Sequence, residues 1–199
     1  MLLLASASPR RQELLRNAGI PFLSHPVAIR ETPRQGEEAR ALAERLALEK
    51  ALAVPEPGLG NFVLGADTVV VVEGQILGKP QDRADAGRML RLLAGRSHRV
   101  ITGVCLKGPV QALDSRLQKE GSFPPDVRSE TTLVTMDSLT DADIGSYIRS
   151  EEPRDKAGAY AIQGVASRWI SRIEGDYFNV VGLPVSLVWR MLREHHYEP

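Results

Sequence analysis

One cysteine in 199 residues leaves Cys105 with no intrachain partner, so no disulfide staples this chain and no thiolate cluster can hold zinc. Cys105 lies in the apolar run Val104-Cys105-Leu106, where a small buried residue is the expected role, and a reducing cytoplasm fits that usage. An excess of charge of one sign is also missing. Lys plus Arg is 25 and Asp plus Glu is 25, for a net charge of zero. That balance argues against non-specific binding to nucleic acid or to an anionic membrane, so any anion site has to be local. No stretch approaches the roughly 20 apolar residues of a membrane span. The apolar start MLLLASA stops well short of the roughly 7–15-residue core of a signal peptide, and the chain reads as soluble and unprocessed. G-x-x-x-x-G-K-[ST], G-x-G-x-x-G and H-E-x-x-H are all absent, which removes the P-loop, Rossmann and zincin readings.

What is present is an alternation of strand and helix patterns long enough to bury a substantial core as one domain or two small lobes. Residues 2–4 read as buried strand and 12–18 as a helix with Leu14 and Leu15 inward. A weaker strand spans 22–29, flanked and interrupted by Pro21 and Pro26. Residues 37–53 form a strong helical pattern that Pro55, Pro57 and Gly58 end. The apolar run 62–72 is broken at Gly65-Ala66-Asp67-Thr68, turns at Glu73-Gly74 and returns over 75–77. A helix over 83–94 stops at Gly95, and 98–107 is a core strand. Residues 108–129 turn polar and rich in Gly and Pro, an extended hairpin tip or loop insertion, before strand sequence resumes over 131–136. Thr140 and Asp143 open a helix with a capping box. AGAYAIQG, WISRIEGD and FNVVGLP supply short strands and turns, and 185–195 closes with a helix whose His195-His196 end frays. An α/β fold with a mixed sheet follows.

Three groups of residues carry candidate chemistry. The turn in LLLASASPRRQELL places Ser6, Ser8, Pro9, Arg10 and Arg11 between a strand and a helix. Ser8 as N-cap with Pro9 in the first helical position is the structural reading, and solvated arginines complete it. Free amides, the helix dipole and two arginines can also grip an anion. Asp67 interrupts a buried strand, and a carboxylate there has to be paired, hydrogen-bonded or metal-bound. Glu31 is a second acidic candidate, and if it converges with Asp67 the pair is a hard, oxygen-only site suited to Mg²⁺ or Mn²⁺. Lys50, Lys79 and Lys156 stand at element ends or beside Gly or Pro, and with the arginines they supply enough local charge to surround a triphosphate. His98 reads as a structural residue at a strand start.

LASASPRRQELL, GADTVVV, LGKP, EPRDKAGAYAIQG and NVVGLP occur in an order and spacing that resemble the Maf family of nucleoside triphosphate pyrophosphatases over almost the whole chain. The resemblance implies hydrolysis of a nucleoside triphosphate to the monophosphate and pyrophosphate, as a housecleaning activity. It also implies an elongated mixed α/β fold with two lobes around a deep cleft, a divalent cation, and a homodimer. Asp67 maps onto the family's catalytic aspartate and Glu31 onto its acidic metal position. With such a substrate, Ser8 and Arg11 can grip phosphate, and Arg10, Arg11, Lys50, Lys79 and Lys156 would neutralise charge developing on the departing pyrophosphate. Arg10, Thr68 and Gln163 match the branch that acts on dTTP and UTP, where the 7-methyl-GTP branch tends to carry Trp, Gln and Glu. Modified pyrimidine nucleotides stand beside dTTP and UTP as substrates. The base is left open between Asp67 and a metal-activated water, because a free aspartate titrates near 3.9. The chain departs from the family pattern at the 115–129 insertion and at Asp137, where many members carry Arg. The rival reading is a nucleotide-binding regulator of cell division or septum formation that does not need hydrolysis.

Overall fold

Four alanines at helical spacing, Ala39, Ala43, Ala47 and Ala51, lie on one side of the helix that organises the first half of the protein. The computed structural model describes residues 1–55, 61–108 and 123–198. In chain order these form β1 (Leu2–Leu4), α1 (Pro9–Asn17), β2 (Phe22–Ser24), α2 (Ala39–Leu52), β3 (Phe62–Val72), β4 (Gln75–Leu77), α3 (Arg83–Leu93), β5 (Ser97–Lys107), β6 (Asp126–Met136), α4 (Asp141–Arg149), β7 (Ile170–Glu174), α5 (Tyr177–Val181) and α6 (Val185–Glu194). Three 3₁₀ turns, Glu152–Asp155, Ala157–Ala159 and Val165–Trp169, lie between α4 and β7. The described strands form a seven-stranded sheet in the order β2-β1-β3-β5-β6-β7, with β4 added to β3. β1 pairs parallel with both β2 and β3, whereas β3–β4 and β6–β7 are antiparallel, so the sheet is mixed as expected.

The chain divides into two compact units, residues 1–67, 102–130 and 182–199 in one and 68–101 and 131–181 in the other. In the first, α2 lies on the sheet with almost no side chain between backbones. A Cβ placed on Gly65 of β3 would fall 2.1 Å from the Ala47 carbonyl oxygen, and one on Gly103 of β5 would fall 2.3 Å from that of Ala43. Both distances are impossible for real atoms, so glycine in the strands and alanine on the helix are one packing solution written in two places. Leu3, Ala5, Ala47, Ala51, Val54, Val63 and Cys105 pack around that contact. Burial pushes the Cys105 thiol up to about 12, with Asp126 adding to the effect, which fits the inert core residue expected. In the second unit the Thr140 hydroxyl accepts from the Asp143 N–H at 3.1 Å and the Asp143 carboxylate accepts from the Thr140 N–H at 2.9 Å, the capping box that starts α4.

Several expectations are corrected. β2 ends at Ser24 rather than running to residue 29, because Pro26 cannot donate to a ladder. β3 is a single unbroken strand, and Gly65 marks a helix contact instead of a break. β6 begins at Asp126, five residues before the predicted start, and the expected insertion lies largely in 109–122, outside the described residues. FNVV forms α5 because the Asp176 carboxylate accepts from the Phe178 and Asn179 N–H groups at 2.7 and 3.4 Å, a cap that overrides β propensity. The end of α6 is ordered: His195 Nε2 is 2.9 Å from the Asp126 carboxylate, and its ring stacks on Phe123 at 3.7 Å.

Gly103→Ala should cost about 3 kcal/mol or more, since strand or helix backbone has to move, measured by urea denaturation. His98 is buried with Nε2 2.7 Å from the Tyr160 hydroxyl, and burial lowers its pKa to about 4. Between pH 6.5 and 4 the unfolded chain takes up a proton that the folded chain refuses, so stability is full above 6.5 and falls toward 4. A His98→Gln variant should lose about 3 kcal/mol less than the wild type between pH 7 and pH 4.

Candidate active site

β1 delivers the chain into the turn at residues 5–8, and α1 starts at Pro9. Ser8 stands at the N-cap with extended torsions, φ −64° and ψ 116°, yet its side chain makes no capping hydrogen bond. Ser6 does the local work in its place. Its Oγ accepts from the Ser8 N–H at 3.2 Å and from Arg11 Nη1 at 3.3 Å. This corrects the expected Ser8 cap.

Arg11 is buried, not solvated, and Nε donates to the Gly182 carbonyl at 2.8 Å, while Arg10 is half-buried. Burial lowers the Arg11 pKa; Asp67 opposes that shift, Arg10 adds to it and Glu31 opposes it. The two carboxylates and both arginines therefore share one electrostatic neighbourhood.

The close approach of α2 to β3 brings Lys50 to Asp67. Lys50 continues the inward row of Leu42 and Leu46 and is 7% exposed, the same as Asp67. Its ammonium is 2.5 Å from Asp67 Oδ1 and 2.6 Å from Glu31 Oε1. The carboxylate in the strand is thus justified by an ion pair on a rigid scaffold, and the expected convergence of Glu31 with Asp67 occurs at that ammonium. Glu31 lies in a segment without regular structure and its side chain is 37% exposed. Arg45 of α2 holds that segment, donating to the Thr32 carbonyl at 3.2 Å and to both carboxylate oxygens of Glu37 at 2.6 and 2.7 Å. The Arg45 hydrogen bonds keep the Glu37 carboxyl down at about 2.

Among the described residues, no group of three or more His, Cys, Asp or Glu side chains gathers to hold a metal by itself. Glu31 and Asp67 nevertheless aim oxygens at one cationic point, which Lys50 occupies with a single positive charge. Two hard carboxylates whose remaining partners would be water and phosphate oxygens suit Mg²⁺ or Mn²⁺, so the donor set fits the expected cation.

Thr68, Lys79, Lys156 and Gln163 belong to the second unit. Thr68 follows Asp67 in β3 and is half-buried, and Lys79 is exposed between β4 and α3. The Lys156 ammonium is 2.6 Å from the Asp155 carboxylate and donates to the Glu152 carbonyl at 2.9 Å. Gln163 is exposed in the turn between Ile162 and Gly164. Sequence reasoning passed over Ser6 as an acceptor, Gly182, Arg45, Tyr147 and Glu152. Of these, Ser6, Gly182 and Glu152 carried a legible signal, lying in the quoted motifs LASASPRRQELL, NVVGLP and EPRDKAGAYAIQG.

The chain belongs to the Maf-like protein family, whose profile matches residues 1–195. It is 50% identical over 192 residues to a dTTP/UTP pyrophosphatase of Koribacter versatilis, covering 96% of this chain and 93% of that one. It is 49% identical to a dTTP/UTP pyrophosphatase of Syntrophomonas wolfei, over 95% and 94% of the two chains. A protein of the same name from Bacillus anthracis is 43% identical, over 97% and 94%.

Removing the ammonium tests whether Lys50 balances Asp67. Lys50→Met should destabilise the protein by about 3 kcal/mol at pH 7, because a buried carboxylate is left uncompensated. Lys50→Met combined with Asp67→Asn should recover more than half of that loss, measured by denaturant melts of the two variants.

Proposed function

We propose that the protein is a nucleoside triphosphate pyrophosphatase that hydrolyses dTTP and UTP, with modified pyrimidine triphosphates as further substrates. The observation that carries the reading is the meeting of Glu31, Asp67 and Lys50 close in charge to Arg11, beside a strand-to-helix turn. Near-full-length relatives named dTTP/UTP pyrophosphatase support the substrate class. The divalent cation and the homodimer rest on the family resemblance and belong to this proposal. A cytoplasmic setting belongs to it as well; among the described residues no helix is long and apolar enough to cross a membrane.

In this reading water attacks the α-phosphorus in line with the bridging oxygen to the β-phosphorus. A P–O bond to water forms, the bridging bond breaks, and pyrophosphate leaves with its electron pair. Asp67 accepts the water proton through its carboxylate, held in place by Lys50 and by an unbroken strand. Arg10 and Arg11, with Ser8 and the amides of its turn, take phosphate oxygens, and Lys50, Lys79 and Lys156 offset charge on the departing pyrophosphate. Glu31 and Asp67 would hold the divalent cation, which when bound neutralises phosphate charge and lowers the pKa of water. Thr68 and Gln163 supply a hydroxyl and an amide that can match the two carbonyls and one N–H of a uracil or thymine ring.

With UTP and Mg²⁺ the purified protein should release UMP and pyrophosphate in equal amounts. Asp67→Asn should stay folded, with Lys50 still paired to Glu31 but a melting temperature below that of the wild type, and turn over about a hundredfold more slowly or worse. Gln163→Glu should lower kcat/KM for dTTP and UTP more than for purine nucleotides. A wild-type protein that binds UTP and releases no pyrophosphate is instead a nucleotide-binding regulator.

A further inference from the structure

We infer that Glu152 and Tyr147 are positioning residues for Gln163, clamping the turn on both sides of that amide and so setting the preference for uracil over cytosine. The inference rests on the proposed base-reading role of Gln163. Both carboxylate oxygens of Glu152 are committed. Oε1 accepts from the Tyr147 hydroxyl at 2.7 Å, and Oε2 accepts from the Val165 N–H at 3.1 Å. The same Tyr147 hydroxyl accepts from the Ala161 N–H at 3.1 Å. Residues 161 and 165 therefore hang from one hydrogen-bonded pair, with Gln163 at the midpoint of the segment they bound. A bond from the Gly164 N–H to the Ala161 carbonyl at 3.1 Å tightens the turn.

The fit around the carboxylate is close. A Cβ on Gly164 would fall 2.3 Å from each Glu152 oxygen, so only glycine lets the carboxylate reach under the turn. Tyr147 is itself fixed: it is 1% exposed in α4 and meets Trp169 edge to face at 5.6 Å. Burial, with the Glu152 hydrogen bond next, pushes its pKa well above the usual phenol range, so the hydroxyl stays protonated and able to donate. The main chain of Glu152 serves a second candidate ligand, because its carbonyl takes the Lys156 ammonium. Uracil and cytosine differ at position 4 and at N3, where one presents a carbonyl and an N–H and the other an amine and a bare nitrogen. An amide discriminates between them only if its carbonyl and NH₂ ends are aimed. An exposed glutamine gets that aim from its backbone.

The test compares kcat/KM for UTP and CTP in the full-length protein. Tyr147→Phe, Glu152→Gln and Gly164→Ala should each reduce the UTP:CTP ratio about tenfold, the scale of one hydrogen bond lost. Each should also speed amide hydrogen exchange at Ala161 and Val165. In a Gln163→Ala background none of the three should reduce the ratio further. Three variants at separate positions keep the test open if one fails to fold. If Gln163→Ala lowers the ratio while the three clamp variants leave it unchanged, or lower it additively, the clamp is overturned and the role of Gln163 stands. A Gln163→Ala protein with the wild-type ratio overturns the base-reading role, and the clamp's part in selectivity with it.

Discussion

The contact between the backbone of α2 and two strand glycines is the constraint on which the first unit depends. A helix normally stands about 10 Å from a sheet because side chains fill the layer between them. Here Gly65 and Gly103 meet the carbonyls of Ala47 and Ala43 directly, and the next inward row, Leu42-Leu46-Lys50, is buried with Lys50 against Asp67 of β3. A lysine carried on a helix at ordinary spacing would reach Asp67 only by extension through solvent. Carried this close, it is buried with the carboxylate, and each charge justifies the other.

The same geometry explains how a chain of zero net charge can prepare for a polyanion. Positive groups are concentrated without any net positive charge: Arg11 is buried in the first turn of α1, and Lys50 is buried between two carboxylates. Arg45 extends the pattern outward, spending its whole guanidinium on Glu37, Glu49 and the Thr32 carbonyl to fix the segment that carries Glu31. Oxygens and cations are interleaved, so each is held by hydrogen bonds before any ligand arrives. Such preorganisation is what electrostatic stabilisation of a developing anion requires.

Much of the fold was legible because its elements are periodic. The helices α2, α3 and α4 and the strands β3 and β5 carry clear 3.6-residue or continuous apolar patterns, and the Thr140-Asp143 box announces its own helix start. What sequence could not decide were choices made by distant contacts. Gly65 looked like a break in β3 because the alanines that need it, Ala51 and Ala47, are encoded 14 and 18 residues earlier. Ser8 read as the cap because Pro9 follows it, and only the folded turn shows the Ser6 Oγ taking the Ser8 N–H instead. Lys50 in a row of leucines looked like a charged side chain at an element end, and only its two carboxylates explain why it points inward. Asp67 and Glu31 were legible as a pair through chemistry alone, whereas the Lys50 ammonium that lies between them in the folded chain was not.

The burial of Cys105 against this same contact has a practical meaning. The thiol sits among Ala47, Ala51 and Val63, fully buried and with its ionisation pushed up to about 12. A thiol reagent added to the native protein therefore meets no second cysteine and no accessible thiolate. Modification has to wait for the packing around Cys105 to open, so its rate reports the opening of the core in which Ala47 and Ala51 meet the sheet. The protein carries a single-atom sensor at its own keystone, and nothing has to be engineered to read it.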